Sequence, residues 1–264
     1  MDILKITIKG DFAFFKKPDV NTFMYFTYEN IHKIVLMGIF GSILGYKGYS
    51  QMSFENKYKK EFPSLENENG NIYPQFYEKL NKIKIGIVPK NVTNSKKVQV
   101  FNNSVGYASK ELGGNLIVKE QWLENPSWDI YILLDNPESE NIAKAIMNKE
   151  TVFIPYLGKN DHLANIENPE LIKNAKNLKE VNKIHSLFKK KDFEIVVDDD
   201  DFEDENSLNQ EIIPIFKYEE KLPIELDETT NNYKFESFQY TNETLKVIKS
   251  PEIYRVENKN IAFI

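Results

Sequence analysis

One stretch of the sequence, residues 27–49, limits the possible folds more than any other. Its apolar residues surround nearly the whole circumference of a helix, and a soluble protein must bury such a helix on more than one side. Gly38, Gly41 and Gly45 share one helical face, although each glycine lowers helix stability by about 1 kcal/mol relative to alanine. We therefore expect the glycines to permit close packing of this helix on a sheet, with contact to a ligand backbone as the alternative.

Both ends of this helix can be assigned from the sequence. Thr27 is predicted to be the N-cap, because its hydroxyl can accept a hydrogen bond from the first helical turn. At the other end, Tyr46, Lys47, Gly48 and Tyr49 leave the helix as an elbow that combines one cation with two aromatic rings.

The composition is that of a soluble globular protein. The chain has 264 residues, of which 41% are hydrophobic and 28% charged, enough for one large domain or a domain with a subdomain. The uncharged run at 34–46 has 13 residues, too short to cross a bilayer, which needs about 20 residues. The chain has no cysteine, and its three histidines lie in no metal-ligand spacing, so we predict no metal site. Nothing indicates a cofactor or a signal peptide, and we expect a cytoplasmic protein.

Charge is distributed unevenly along the chain. Residues 1–120 contain 17 lysines and 11 acidic residues, a net charge of +6, whereas residues 121–264 have a net charge of −12. A basic half is typical of a polyanion-binding face, although lysines that only solubilise a surface are the alternative. Arg255 is the only arginine. Phosphate contacts would therefore come from lysines, and bidentate reading of guanine would have almost no donors.

The pattern of apolar residues predicts an α+β protein. Period-two alternation and helix-start signals give the order β-α-β-β-α-β, the ferredoxin-like arrangement in which both helices cover one sheet face. A lysine-rich segment at about 90–121 is predicted to project from this core as a thumb hairpin with arms at 97–102 and 115–121. The predicted elements are strands at 4–8, 82–88, 129–134 and 151–156, helices at 27–49, 75–81 and 137–148, and a polar excursion at 50–72.

The remainder of the chain is less regular. We predict a core domain at 1–166 and a β-rich C-terminal subdomain at 167–264. Within the subdomain, residues 182–188 are assigned to a helix, and strands are expected at 193–197 and 212–218. Residues 198–205 contain seven acidic side chains in eight positions, which favours a solvated loop over a calcium site.

Three loops combine lysines with aromatic or amide side chains. Lys16 and Lys17 follow three phenylalanines, a combination that suits base stacking beside phosphate binding, but we expect Phe12 and Phe14 to fill the core instead. The predicted thumb carries lysines, amides and two aromatic residues suited to gripping a single strand, although a mobile insertion without a ligand is the alternative. Lys159 and Asn160 follow a glycine turn, and their side chains can donate hydrogen bonds to phosphate. His162 comes shortly after them, and we assign it a structural role. We expect the side chains from these loops to converge on one edge of the sheet.

Four sequence blocks resemble one family. They are GDFAFFKKPDVN, GIFGSILGYKGY, KIKIGIVPKN and FIPYLGKNDHLANI, and together they are similar to the RAMP-type Cascade subunit of type I CRISPR systems. This is the fifth numbered CRISPR-associated family, and the chain is closest to its type I-B branch. The resemblance implies an RRM-like, ferredoxin-like core that caps the 5′ handle of the crRNA in an antiviral surveillance complex.

The resemblance also implies partners and binding residues. The partners are the backbone subunit and the large subunit of Cascade, with target DNA contacted only indirectly through the complex and no membrane. The RNA-binding residues implied by the matching positions are Lys16, Lys17, Tyr46, Lys47, Tyr49, Lys96, Lys97, Lys159 and Asn160.

Catalysis is the remaining question. Members of type I-C systems resemble this chain and cleave precursor crRNA, a metal-free reaction that needs a general base and a general acid. Tyr46 and Lys47 are candidates, but His32 lies 14 residues before Tyr46, about 20 Å away along a continuous helix. We therefore predict a non-catalytic RNA-binding scaffold. The alternatives are a metal-independent endoribonuclease and a ferredoxin-like protein-interaction module without RNA.

Overall fold

The structure is a computed structural model that describes residues 1–19, 23–61, 72–102, 106, 110, 112, 114–196 and 214–264. Its elements in chain order are β1 (Ile3–Lys9), β2 (Phe12–Ala13), α1 (Lys33–Leu44), α2 (Tyr49–Glu61), α3 (Gln75–Leu80), β3 (Ile85–Pro89), β4 (Ser95–Asn102), β5 (Ile117–Glu124), β6 (Ser127–Leu133), α4 (Pro137–Met147), β7 (Asn165–Ile172), β8 (Lys176–Leu178), β9 (Phe188–Lys189), β10 (Phe193–Ile195), β11 (Lys217–Leu226), β12 (Tyr233–Thr241), β13 (Leu245–Val247), β14 (Glu252–Val256) and β15 (Lys259–Phe263).

A four-stranded antiparallel sheet forms the centre of the molecule, with the strand order β3-β6-β1-β7. Because side chains alternate along a strand, Leu4, Ile6 and Ile8 of β1 point to one face, where they join α1 and α4 in a single hydrophobic cluster. The opposite face carries Ile3 and packs on β14 and β15. The sheet is therefore buried on both sides, which explains why β3 and β6 are apolar almost throughout.

The three glycines of α1 have three different roles. At Gly41 an added Cβ would lie 2.6 Å from the Cβ of Phe76, so this glycine permits close approach of α3. Gly45 ends the helix in the left-handed conformation, with φ of 76°. Gly38 lines a cleft of about 190 Å³ and has no atom within 4 Å of an added Cβ. The expected packing of the glycines on a sheet is therefore wrong, since the close contact is to another helix.

The predicted N-cap of α1 is also wrong. Thr27 lies in an extended segment that bridges to Lys16, and its hydroxyl accepts a hydrogen bond from the Phe15 N–H and donates one to the Tyr28 carbonyl. The N-cap is His32, which makes no side-chain cap bond. The segment before α1 is extended because its backbone groups pair with neighbouring chain segments, Tyr25 bonding β5 for example.

The fourth strand of the sheet is β7, not the predicted strand at 151–156. Residues 151–164 form a loop whose Val152 and Phe153 N–H groups bond carbonyls at the end of α1. The sequence is misleading here because β7 is an edge strand with largely exposed side chains, whereas the apolar Ile154 is 71% exposed in the loop. The domain boundary predicted after residue 166 falls within β7.

The thumb hairpin consists of β4 and β5, which pair over their whole lengths. They overlap the predicted arms at 97–102 and 115–121, but β4 begins two residues earlier and β5 ends three residues later. The outer edge of β5 also pairs with β2, which fixes the hairpin to the core. Two further predicted elements differ from the structure. Residues 50–61 belong to α2 and not to an irregular excursion. Residues 182–188 are not helical, since the backbone N–H groups of His185 and Leu187 bond Asn260 and Ile87 of neighbouring strands.

The C-terminal strands form three small antiparallel sheets: β8-β14-β15, β9-β12-β11 and β10-β13. Leu222, Leu226 and Phe238 from β11 and β12 belong to the hydrophobic cluster of α1. The predicted acidic loop at 198–205 lies outside the described residues, as does the start of the strand predicted at 212–218. None of the helices in the described ranges is long and apolar enough to cross a membrane.

Candidate nucleic-acid interface

One face of the thumb hairpin, next to β2, alternates cations with aromatic rings. We call this the thumb-base surface and define it by Phe12, Lys97, Phe101, Trp122 and Lys159. Lys97 and Trp122 are cross-strand partners and therefore lie on the same face. The Lys97 ammonium lies 5.4 Å from the ring centroid of Phe12, which in turn lies 5.6 Å from that of Trp122.

A tight turn brings Lys159 to this surface. Gly158 has φ of 87°, and an added Cβ there would lie 1.9 Å from the carbonyl oxygen of Phe14, so only glycine fits. The turn is held by backbone bonds on either side of Leu157, which donates to His162 and accepts from Phe14. As a result the Lys159 ammonium lies 4.7 Å from the Phe101 ring centroid.

The positive charge of Lys159 is neutralised by a buried carboxylate. Its ammonium lies 2.7 Å from the carboxylate of Glu120, a residue that is 8% exposed. Glu120 also accepts a hydrogen bond from the indole N–H of Trp122 at 2.8 Å. The buried carboxylate thus ties Lys159 to Trp122. We conclude that Lys159 positions the thumb-base rings rather than presenting an unpaired charge.

His162 lies beneath this surface. Its ring centroid is 4.4 Å from that of Trp122, in an edge-on arrangement, and 6.0 Å from that of Phe12. The side chain is buried, and burial lowers the pKa of His162 below its ordinary value. Burial thus favours the neutral form of the imidazole.

The opposite face of the thumb hairpin carries a different arrangement, which we call the carboxylate network: Lys17, Glu29, Lys96, Tyr218 and Glu220. Lys96 forms an ion pair with Glu29, and Lys17 forms one with Glu220 at 2.7 Å. The two carboxylates are connected, because the Glu29 backbone N–H donates to Glu220 at 3.0 Å. The hydroxyl of Tyr218 also donates to Glu220, and burial raises the pKa of this tyrosine. The network joins the thumb to β11.

Lys16 lies apart from both groups. Its ammonium is 3.7 Å from the ring centroid of Tyr25, and within the described ranges it has no carboxylate within ion-pair distance. Tyr25 runs beside β5 on the edge opposite β4. Lys16 is therefore, like Lys97, a lysine held over a ring and not over an acid.

The elbow lies at the C-terminal end of α1, away from these lysines. The Tyr46 hydroxyl donates to Glu138 at 2.5 Å, and burial together with this bond raises the pKa of Tyr46 to about 12. Lys47 pairs with Glu55 at 2.5 Å, and Tyr49 packs edge-on against Phe76.

By contrast, the rings of Phe15 and Tyr28, next to Lys16 and Lys17, pack on His32 at the N-terminal end of α1. Twelve helical residues separate these two ends, a distance of about 18 Å. The expected convergence of these loops on one edge is therefore wrong as a whole, because Lys17 and Lys96 lie on the opposite face of the hairpin and the elbow lies at the other end of α1. Of the predicted lysines, Lys97 and Lys159 do meet at the thumb-base surface, and Asn160 is exposed in the turn beside them.

Two important residues were not predicted from the sequence. Trp122 and Glu120 lie on β5, in a segment that reads as an ordinary charged strand. A tryptophan in a polar strand of a projecting hairpin is a signal that could have identified the ring surface. The burial of Glu120 has no signal in the sequence, because it depends on Lys159, which approaches from 39 residues further along the chain. Across the described residues, no cluster of three His, Asp or Glu side chains could hold a metal ion.

Comparison with known proteins shows that this chain is similar in fold to solved structures. No family model matches the sequence, and no curated protein matches it. Among solved structures, a chain from a CRISPR RNA-guided surveillance complex superimposes with a TM-score of 0.50 at 9% identity, over 92% of this chain and 91% of that chain. A CRISPR protein from Archaeoglobus fulgidus has a TM-score of 0.48 at 10% identity, over 99% of this chain and 98% of that chain. The chain thus shares its mixed α/β fold, with several antiparallel sheets, with a chain of a CRISPR surveillance complex.

Proposed function

We propose that this chain is a non-catalytic crRNA-binding subunit of a Cascade-type CRISPR surveillance complex and caps the 5′ handle of the crRNA. In this proposal β1, α1, β3, β6, α4 and β7 are a ferredoxin-like RAMP core, from which β4 and β5 project as the thumb. Three observations support it: the strand order β3-β6-β1-β7, the likeness in fold to a surveillance-complex chain, and the four sequence blocks.

The observation that carries the RNA-binding part is the thumb-base surface. Aromatic faces stack bases of any identity, and each stacked base contributes about 1–3 kcal/mol. Phe12, Phe101 and Trp122 are all partly exposed there. Lys97 supplies an exposed charge beside them without an acidic partner in the described parts of the chain. Rings that alternate with an exchangeable cation suit an unpaired RNA strand better than a peptide or an apolar ligand.

The non-catalytic part rests on the groups available for proton transfer. His32 is buried among Phe15, Tyr28 and Tyr233, and burial lowers its pKa to about 3. Tyr46 is bonded to Glu138 at the other end of α1, and its pKa of about 12 is too high for a base at neutral pH. These groups do not share a site. We therefore favour a binding role over the endoribonuclease alternative.

Protein partners are part of the proposal. Two regions carry exposed apolar side chains that are suited to contacts with other proteins. One is the carboxylate-network face of the thumb, with Val98, Val100 and Ile117, and the other is the 151–164 loop, with Phe153 and Ile154. We propose the backbone subunit and the large subunit of Cascade as the partners, in the cytoplasm. Target DNA would be reached only through the assembled complex.

A binding and cleavage assay tests the function. The full chain is incubated with fluorescein-labelled CRISPR-repeat RNA in EDTA, and anisotropy and gel integrity are followed together. We expect binding that weakens as salt rises, with the RNA left intact. Specific cleavage that is lost in Tyr46→Phe would overturn the non-catalytic assignment. Absence of binding, with no nucleic acid retained after co-expression with repeat RNA, would favour an interaction module without RNA.

A further inference from the structure

A buried histidine beside Trp122 has unused hydrogen-bonding capacity. His162 is 4% exposed, and within the described ranges neither ring nitrogen has a hydrogen-bond partner. A neutral imidazole carries one N–H donor and one acceptor nitrogen, and buried groups of this kind are normally paired. The two nitrogens of His162 therefore call for a partner that the described part of the chain does not supply.

Two side-chain donors in the cluster already have a partner. The indole N–H of Trp122 donates to Glu120 at 2.8 Å, and the ammonium of Lys159 contacts the same carboxylate at 2.7 Å. The face of the indole can accept the imidazole N–H, because a ring face is electron-rich. It cannot donate to the acceptor nitrogen of His162. Among the residues that the structure describes, at least one nitrogen thus remains open whichever tautomer forms.

The ring of Phe12 borders this cluster on its exposed side. The ring of Phe12 is close to both His162, at 6.0 Å, and Trp122, at 5.6 Å between centroids. Its face is covered by the exposed side chain of Lys97, which makes no ion pair in the parts of the chain that are described. A flat ligand can displace this flexible side chain without breaking a salt bridge. The other wall is fixed, since Glu120 and Lys159 hold Trp122 in place.

We infer that Phe12, Trp122 and His162 form a pocket for one unpaired nucleobase, in which His162 reads the hydrogen-bonding edge of the base and Lys97 contacts the adjoining phosphate. The inference rests on the proposed RNA-binding function and adds a specificity-determining residue to it. A nucleobase fits because it combines a flat face for stacking with donors and acceptors on one edge. The displaced Lys97 ammonium remains on the same side, where the backbone of the strand must pass.

A panel of RNAs tests the inference. Dissociation constants of the full chain are measured for fluorescein-labelled octamers of rA, rC and rU, with wild type and with His162→Phe. Phenylalanine keeps a ring in the pocket and removes both nitrogens. For wild type we expect the best and worst octamers to differ by about tenfold or more, since a well-formed base contact discriminates at that level. For His162→Phe we expect the same octamers to bind within about threefold of one another.

The outcomes separate the inference from the function on which it rests. If wild type binds none of the octamers, the proposed RNA-binding function fails. If wild type binds them all with equal affinity, or if His162→Phe keeps the wild-type ratio, RNA binding stands and the base-reading role of His162 is overturned. A purely structural histidine would change the melting temperature of the variant and leave the base preference as it was.

A second measurement uses the unmodified protein and so does not depend on the folding of a variant. The chain has only three histidines, so their ring nitrogens can be followed by ¹⁵N NMR as the preferred octamer is added. We expect the His162 signals to shift at saturation, with those of His32 and His185 as internal controls. Unchanged His162 signals in the bound state would overturn the inference.

Discussion

Lys96 and Lys97 are neighbours on β4, yet they face opposite sides of the thumb hairpin and have different partners. Lys96 forms an ion pair with Glu29, whose side chain is 9% exposed. Lys97 lies over the ring of Phe12 and has no acidic partner in the described ranges. We infer from this difference that the burial of the partner, and not the lysine alone, decides whether such a residue holds the fold or is available to a ligand.

The two lysines differ in the group that loses its cation when the lysine side chain moves away. A buried carboxylate that loses its cation remains charged in a poorly solvated site, at a free-energy cost of several kcal/mol. A ring that loses an exposed cation gives up only about 0.5–1 kcal/mol. The carboxylate network is therefore expected to resist competition from phosphates, whereas the thumb-base surface is expected to admit them.

The largest effect is expected for Lys96→Glu. The new carboxylate would face the buried Glu29, and we expect the free energy of unfolding to fall by about 3 kcal/mol in urea titrations. The double variant Lys96→Met with Glu29→Gln is the control, since it removes both charges and should recover most of the loss. An unchanged unfolding midpoint in Lys96→Glu would contradict the conclusion that Lys96, unlike Lys97, is needed to hold the fold.

The pH dependence of stability is the next largest effect. His32 contacts Tyr28 beside the carboxylate network, and burial lowers its pKa from 6.5 to about 3. Between these values the unfolded chain binds a proton that the folded chain does not, so stability falls as the pH is lowered. From pH 7 to pH 5 we expect a loss of about 2 kcal/mol from this residue.

Urea titrations of wild type and His32→Phe at the two pH values measure this contribution. Phenylalanine does not titrate, so the variant should lose less stability on acidification by about that amount. Equal losses in the two proteins would show that His32 is solvated in the folded state. The contacts of His32 with the rings of Phe15, Tyr28 and Tyr233 would then be looser than in the structure.

Lys97→Glu tests the other face. We expect RNA affinity to fall by about tenfold and the slope of log affinity against log salt to become shallower by about 1, because one phosphate contact is lost. The free energy of unfolding should change by less than about 0.5 kcal/mol, as is usual for an exposed side chain without buried partners. Lys144→Glu on the exposed side of α4 is the matched charge reversal and should leave binding unchanged. Equal losses of RNA affinity in both variants would show that the RNA is attracted non-specifically by positive charge and does not bind at the thumb-base surface.

Much of the architecture follows from local patterns. The alternation in β1, the capping box of Asn136 and Ser139 that begins α4, and the arms of the thumb are all encoded in short stretches. The edge strand β7 is not, because its exposed side chains carry no apolar period and its place is fixed by pairing with β1. Residues 182–188 were misassigned for a related reason, since their backbone bonds go to distant strands.

The site was harder to predict than the fold. The sequence indicates which lysines stand beside aromatic residues, but it does not show which of them meets a buried acid. Lys17 and Lys96 meet Glu220 and Glu29, which lie 203 and 67 residues away in the chain. The first pairing arises only when β11 packs against the core, and the second only when β4 folds back on the segment before α1. Charge alone could therefore not separate lysines that hold the fold from lysines that are available to a ligand.

The smallest effect is expected at the elbow. Lys47 pairs with Glu55 while its own side chain is 55% exposed, and exposed pairs of this kind contribute about 0–1 kcal/mol. It lies at the end of α1 opposite His32, so we expect Lys47→Ala to change RNA affinity by less than about twofold and stability by less than about 0.5 kcal/mol. Anisotropy titrations beside Lys97→Glu measure the contrast. A tenfold loss of affinity in Lys47→Ala would mean that the RNA also contacts the C-terminal end of α1, and the binding site would then span both ends of that helix.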